Sequence, residues 1–126
     1  MIRSLNILLF VLFAFTLISC EKEEITSGPA SDIIHVTYKV TAQSGASTVS
    51  YLAPVNGVTQ TTTIDYNRVV FEHSFDWTKG QNLRVEAHNT IPSNKEVIAE
   101  IYVNGVLFKQ SIVAAPGAHA IAEGKY

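Results

Sequence analysis

Asn-Gly occurs twice in this chain, at Asn56-Gly57 and Asn104-Gly105, each time between runs rich in alternating or β-branched residues. Asn and Gly both tolerate the positive φ that the two central positions of a type I′ turn need, and the twist of that turn folds one strand back on the next. Two hairpins are therefore expected, 49–53 with 58–64 and 97–103 with 106–113. In the second, a two-residue loop sets Val103 opposite Val106 and Ile101 opposite Phe108.

Composition extends this reading to the rest of the chain. From Cys20 onward there are twelve Val, nine Ile and ten Thr but only three Leu, and branched side chains lose rotamer freedom in helices while fitting a pleated surface. Val36, Tyr38 and Val40 share one face, with His35, Thr37 and Lys39 on the other, and Val49 and Tyr51 alternate with Thr48 and Ser50. After a break at Asp65-Tyr66-Asn67, a strand carries Val69, Phe71, His73 and Phe75 on one face. Thr78-Lys79-Gly80-Gln81 then turns the chain into Leu83, Val85 and Ala87, with Arg84, Glu86 and His88 facing out. Pro116-Gly117 ends the second hairpin, and 118–122 forms a last edge run. The expectation is an all-β fold, a two-sheet antiparallel sandwich of about seven strands over residues 33–126.

The first nineteen residues belong to something else. Fourteen of them are apolar, behind a positive Arg3, which is the pattern of an export signal. The uninterrupted part, from Ile7 to Ile18 apart from Thr16, would span only about 18 Å as a helix against roughly 30 Å of hydrocarbon, so cleavage is expected rather than a permanent membrane span. Leu17-Ile18-Ser19-Cys20 resembles the bacterial lipobox, whose cysteine is alkylated with diacylglycerol and becomes the first residue. Cys20 is the chain's one cysteine, so it has no disulfide partner within the chain and reads as the point of lipid attachment; several acyl chains hold a protein stably where one does not. Glu21-Lys22-Glu23-Glu24 resembles the Lys-acidic-acidic signal of surface-exposed lipoproteins in Bacteroidota-type bacteria. Residues 20–32, with Gly28-Pro29, then form an acylated cysteine and flexible tether. The expected location is the outer membrane, held through lipid on Cys20, with the cell surface favoured over the periplasmic face.

Beyond the leader, eight Lys or Arg face eleven Asp or Glu, an acidic balance that argues against nucleic acid as a partner. His35, His73, His88 and His119 fall on separate runs without a His-x-His pair or a cysteine, so no metal and no cofactor are expected. No Gly-x-Ser-x-Gly elbow and no phosphate-cradling glycine loop occurs. Glu72, Asp76, Glu86 and Glu100 would act as an acid and base pair only if they converged in a pocket. What remains is binding chemistry: Tyr51, Tyr66, Trp77 and Tyr102 offer flat rings for sugar or peptide, and Trp77 lies half inside the expected core at a strand end. The row Thr59, Thr61, Thr63 presents a flat polar face, to another chain or to water.

The order of several segments resembles the mycobacterial small membrane protein family and its lipoprotein relatives. These are Val36-Thr37-Tyr38-Lys39-Val40-Thr41, Val49-Ser50-Tyr51, Ser74-Phe75 with Gly80 and Leu83, Ala87-His88-Asn89, and Ile101-Tyr102-Val103-Asn104-Gly105. The resemblance implies an immunoglobulin-like β-sandwich outside the membrane, and an accessory role to an RND-type exporter without catalytic residues. Val70-Phe71 stands where the family often has Pro-Trp, a lipid anchor replaces its transmembrane helix, and the sandwich lacks its usual cysteines. The function expected is a non-catalytic, lipid-anchored binding or accessory module of an envelope transport complex, or a surface-displayed binder of glycan or peptide.

Overall fold

The alternation in the sequence becomes eight strands in a computed structural model, which describes residues 31–126. They are β1 (Ile33–Ala42), β2 (Ser47–Val55), β3 (Val58–Tyr66), β4 (Val70–Thr78), β5 (Asn82–Asn89), β6 (Val97–Val103), β7 (Val106–Val113) and β8 (Ala120–Lys125). One sheet has the order β4-β1-β6-β7, the other β3-β2-β5-β8, and every pairing is antiparallel. The fold is an all-β antiparallel sandwich of eight strands, close to the seven expected, and no helix forms among the described residues. The leader, Cys20 and the Glu21 to Glu24 segment lie outside them.

Period-two patterning fills the space between the sheets. Val36, Tyr38 and Val40 from β1, Leu83, Val85 and Ala87 from β5, and Val97, Ala99, Ile101 and Val103 from β6 are all buried, and their alternating neighbours face out as pleated geometry requires. Both Asn-Gly pairs form the expected turns, with φ of 51° and 77° at Asn56-Gly57 and 51° and 79° at Asn104-Gly105. Asn104 also locks its turn onto β1: its side-chain Oδ1 accepts from the His35 N–H at 2.9 Å, and its own N–H donates to the His35 carbonyl at 2.8 Å. Buried Asn89 ties another end together, accepting from Ser44 Oγ at 2.6 Å and donating to the Lys95 carbonyl at 2.9 Å.

Tyr38 joins the two sheets. β2 and β5 pair only from Ser47 to Tyr51. Just beyond, where they part, the Tyr38 hydroxyl donates to the Leu52 carbonyl at 2.7 Å and accepts from the Arg84 N–H at 3.2 Å. The phenol thus stands where a ladder bond would, satisfying two backbone groups that the parting strands leave open. Pro54 follows in β2, on a stretch with no partner on its β5 side, where a missing N–H costs nothing.

Four details differ from the sequence pattern. β3 runs through Tyr66 rather than breaking at Asp65, because Thr48 pairs with Asp65 and donates to its carboxylate at 2.8 Å. Val69 precedes β4 and is exposed; the face it was expected to share consists of Phe71, His73, Phe75 and Trp77. Ile101 pairs with Lys109, not Phe108, since a β-bulge next to Ile101 and Tyr102 inserts one extra residue into β7. The last strand likewise begins at Ala120 and continues to Lys125.

Candidate functional site

Seven rings run along the side of the sandwich bounded by β3 and β4. Starting at the C-terminal end of β3, Tyr66 meets Phe71 edge-on at 5.3 Å between centroids, and Phe71 lies 5.6 Å from Tyr51. Tyr51 stands 4.8 Å from His73, His73 5.6 Å from Phe75, and Phe75 5.5 Å from Trp77, while Tyr38 backs the row from the core against Phe75 at 5.1 Å and Tyr51 at 6.0 Å. These are the offset and edge-on separations at which aromatic quadrupoles attract. The rings come together because β4 places every second residue inward and Tyr51 does the same from β2. Tyr51, Tyr66, His73 and Phe75 are only half-buried. β4 packs over β2, and the opposite sheet meets β3 chiefly where Tyr66 touches Phe71. The inward face of β3 at Val58 and Gln60 is therefore exposed, and the row of rings is reachable along this side.

The row ends in a groove of about 360 Å³ beside Trp77, between the β2–β3 hairpin, the start of β1 and the β4–β5 turn. Ile33, Pro54 and Trp77 line it together with the polar Thr59, Asp76, Thr78 and Gln81, an evenly mixed apolar and polar wall. Trp77 was expected half out of the core. It is 6% exposed, because it stays in phase with Phe71 and Phe75 and sits across from Ile34. Its Nε1 is buried and has no hydrogen-bond partner, an orphaned donor of the kind that usually finds one.

Of the four aromatic candidates, the structure brings Tyr51, Tyr66 and Trp77 onto this one side through the intervening rings. Tyr102 is not among them: it faces outward from the other surface of the β4-β1-β6-β7 sheet, where its hydroxyl donates to Glu100 at 3.2 Å. Loss of hydration next to Glu100 raises the Tyr102 pKa. His73 and Phe75, which belong to the row, were legible in the sequence as core positions rather than as candidates.

The acids lie apart from this side or apart from one another. Glu72, Asp76 and Glu100 sit on the outer face of the first sheet, with Asp76 2.9 Å from His35 Nδ1 and Glu100 accepting from Gln110 at 2.9 Å. Glu86 is on the outer face of the second sheet, so it does not converge with them. There Arg84 donates to Glu86 at 2.7 Å and to Glu123 at 2.8 Å, and His119 pairs with Glu86. The Arg84 hydrogen bond, followed by that from His119, holds the Glu86 carboxyl below its ordinary pKa. His88 and His119, which sequence spacing kept apart, stack at 4.4 Å on this face. No group of three or more metal-ligating side chains forms among the described residues.

Fold and site together define a β-sandwich that is open, and lined with rings, along one side. The chain matches no protein-family model and no curated protein sequence.

Proposed function

We propose that the protein is a non-catalytic, lipid-anchored module of the cell envelope that works by binding, as an accessory to an envelope transport complex. The observation that carries the reading is the row from Tyr66 to Trp77, half-buried at Tyr51, Tyr66, His73 and Phe75 and reachable along the β3–β4 side. Rings left partly in water form an apolar surface that a partner can cover, and aromatic side chains give large contact area at low conformational cost. The lipobox at Cys20 and the tether to Asp32 support attachment to the outer membrane at a short distance from its surface.

Protease shaving of intact cells, with metabolic palmitate labelling and a Cys20→Ala control, tests this. Palmitate is expected on the wild-type chain and not on Cys20→Ala; label that persists in the variant would sink the lipid anchor. A domain that resists protease until the outer membrane is opened, and co-purifies with a membrane complex, fits the accessory role.

A second reading, a surface-displayed binder of glycan or peptide, is favoured by the groove beside Trp77. It predicts that the domain is clipped from whole cells. Trp77 is the one tryptophan in the chain, so its fluorescence reports on the groove directly. A saturable shift on titration with glycans or short peptides supports this reading, and no shift across such a panel counts against it.

A further inference from the structure

A sheet edge exposes a row of unpaired N–H and C=O groups, and proteins normally blunt it with charges, proline, bulges or short length. Three of the four edges here are blunted. β7 carries the bulge and Lys109. β8 is six residues long and bears Glu123 and Lys125. β4 bears Glu72 and Asp76, spaced evenly about Ser74, so two β4 strands paired at Ser74 would set acid against acid. β3 has none of these devices. From Val58 to Ile64 it reads Val-Thr-Gln-Thr-Thr-Thr-Ile, with no charge, no proline and no break in its register with β2. Six of its seven residues are β-branched.

That stretch is also nearly palindromic. Reversed about Thr61, Val58 meets Ile64, Thr59 meets Thr63, Gln60 meets Thr62 and Thr61 meets itself. Every pair joins like chemistry on the same face of the sheet. The one charge of the strand, Asp65, falls outside the palindrome and is occupied by Thr48 at 2.8 Å. The backbone is suitably aimed as well. In a two-residue hairpin the pair next to the loop, Val55 and Val58, exchanges both ladder bonds, and hydrogen-bonded and non-bonded pairs alternate from there. Gln60 and Thr62 therefore bond to β2, while Thr59, Thr61 and Thr63 turn their N–H and C=O groups outward.

We propose that β3 is a pairing edge for a second copy of this chain, joined antiparallel about a two-fold axis at Thr61. The two β3-β2-β5-β8 sheets then form one continuous eight-stranded sheet. The axis is normal to the sheet, so the inward faces of both copies stay on the same side. The two rows of rings face each other across the joined β3 strands, and two one-walled sides become a single cleft.

Gln60 and Thr62 of opposite copies form a non-bonded pair, the close kind that suits a disulfide. The test uses the full chain carrying Gln60→Cys with Thr62→Cys under mild oxidation, with the unsubstituted chain, whose one thiol is Cys20, as background. Disulfide-linked homodimer is expected to form at least about tenfold above background. Adding Thr61→Pro should return it to background, because proline removes the central outward N–H without touching the β2–β3 ladder. Thr61→Lys serves as the second disruptor, with circular dichroism confirming the β fold in each case. Cross-linking no faster than background, cross-linking that survives both disruptors in a folded chain, or capture of a different protein in place of the homodimer would each overturn the proposal.

Discussion

Each long side of the sandwich is bounded by two edge strands, and the two sides are finished in opposite ways. Along β7 and β8 the bulge puts Phe108 and Lys109 against Gly124, where a β-carbon would stand 3.0 to 3.2 Å from their side-chain atoms. Tyr126 closes on Phe108 edge-on at 5.2 Å, and Lys109 lies 5.4 Å from the centre of the same ring. Along β3 and β4 the rings are more numerous, but Tyr51, Tyr66, His73 and Phe75 stay partly in water and the inward residues Val58 and Gln60 are exposed. A closed side needs a small residue under a large one. The open side keeps large residues on β2 and β4 and leaves β3 overhanging, which is the arrangement a binding surface requires.

The largest expected effect comes from emptying the deep end of the open side. Trp77→Ala removes a side chain that is 6% exposed and should cost about 3–5 kcal/mol by chemical denaturation, as buried aromatic truncations do. A cost under about 1 kcal/mol would mean that the ring contributes to ligand contact rather than to the core. Tyr38, behind the same row, gives the next effect. Burial pushes its pKa up from 10.0 to about 12, partly offset by the hydrogen bond from the Arg84 backbone. Between those values the unfolded chain gives up the phenolic proton and the folded chain keeps it. Stability is thus intact below pH 10 and falls by up to ~3 kcal/mol as pH rises to 12. Tyr38→Phe should flatten that stretch of the stability curve, while costing about 1–3 kcal/mol at neutral pH for the Leu52 and Arg84 backbone groups left unpaired.

The closed side gives a smaller test of opposite sense, in which an atom is added. Gly124→Ala places a β-carbon 3.1 Å from the Phe108 ring and 3.0 Å from Lys109 Cε. Lys109 can swing away, but the ring is held by Tyr126 and must shift, so the expected cost is about 1–2 kcal/mol. The equivalent change on the open side, Thr62→Ile in half-exposed β3, also adds an atom and should fall within about 0.5 kcal/mol. Equal costs would erase the contrast between the sides.

How much of this could be read from the chain follows the range of the interactions. Turns and faces are local: Asn-Gly fixed two hairpins, and period-two spacing named Val36, Tyr38, Val40, Val85 and Ala87 as inward residues, all of them buried. The bulge was not legible, because what it serves is Gly124, a residue of the other sheet. His88 and His119 were assigned to separate runs, and only the pairing of β5 with β8 stacks them. Among the site candidates, Tyr51, Tyr66 and Trp77 share a side because β2, β3 and β4 happen to bound it. Tyr102 has the same composition cue but the opposite phase. Phase along β6 was readable, yet which phase belonged to a surface that mattered required knowing which side stays open.

The two Asn-Gly turns carry that lesson to the smallest scale. Their backbones are almost superimposable, with Asn φ of 51° in both, and sequence alone treats them as equals. One belongs to the β2–β3 hairpin of the open side, the other to the β6–β7 hairpin of the closed side. Asn104 uses its side chain to accept the His35 N–H at 2.9 Å, whereas Asn56 is exposed and its side chain has no partner among the described residues. Glycine satisfies the positive φ at either position, so Asn→Gly isolates the side chain from the turn. Asn104→Gly should cost about 0.5–1.5 kcal/mol, and Asn56→Gly less than about 0.5 kcal/mol, in parallel thermal or urea unfolding. Matching losses would place the whole value of both asparagines in their turn conformation and remove the tie between β1 and the closed side. A loss confined to Asn104→Gly assigns it to the side-chain bond, one of the two hydrogen bonds that join the β6–β7 turn to the first strand.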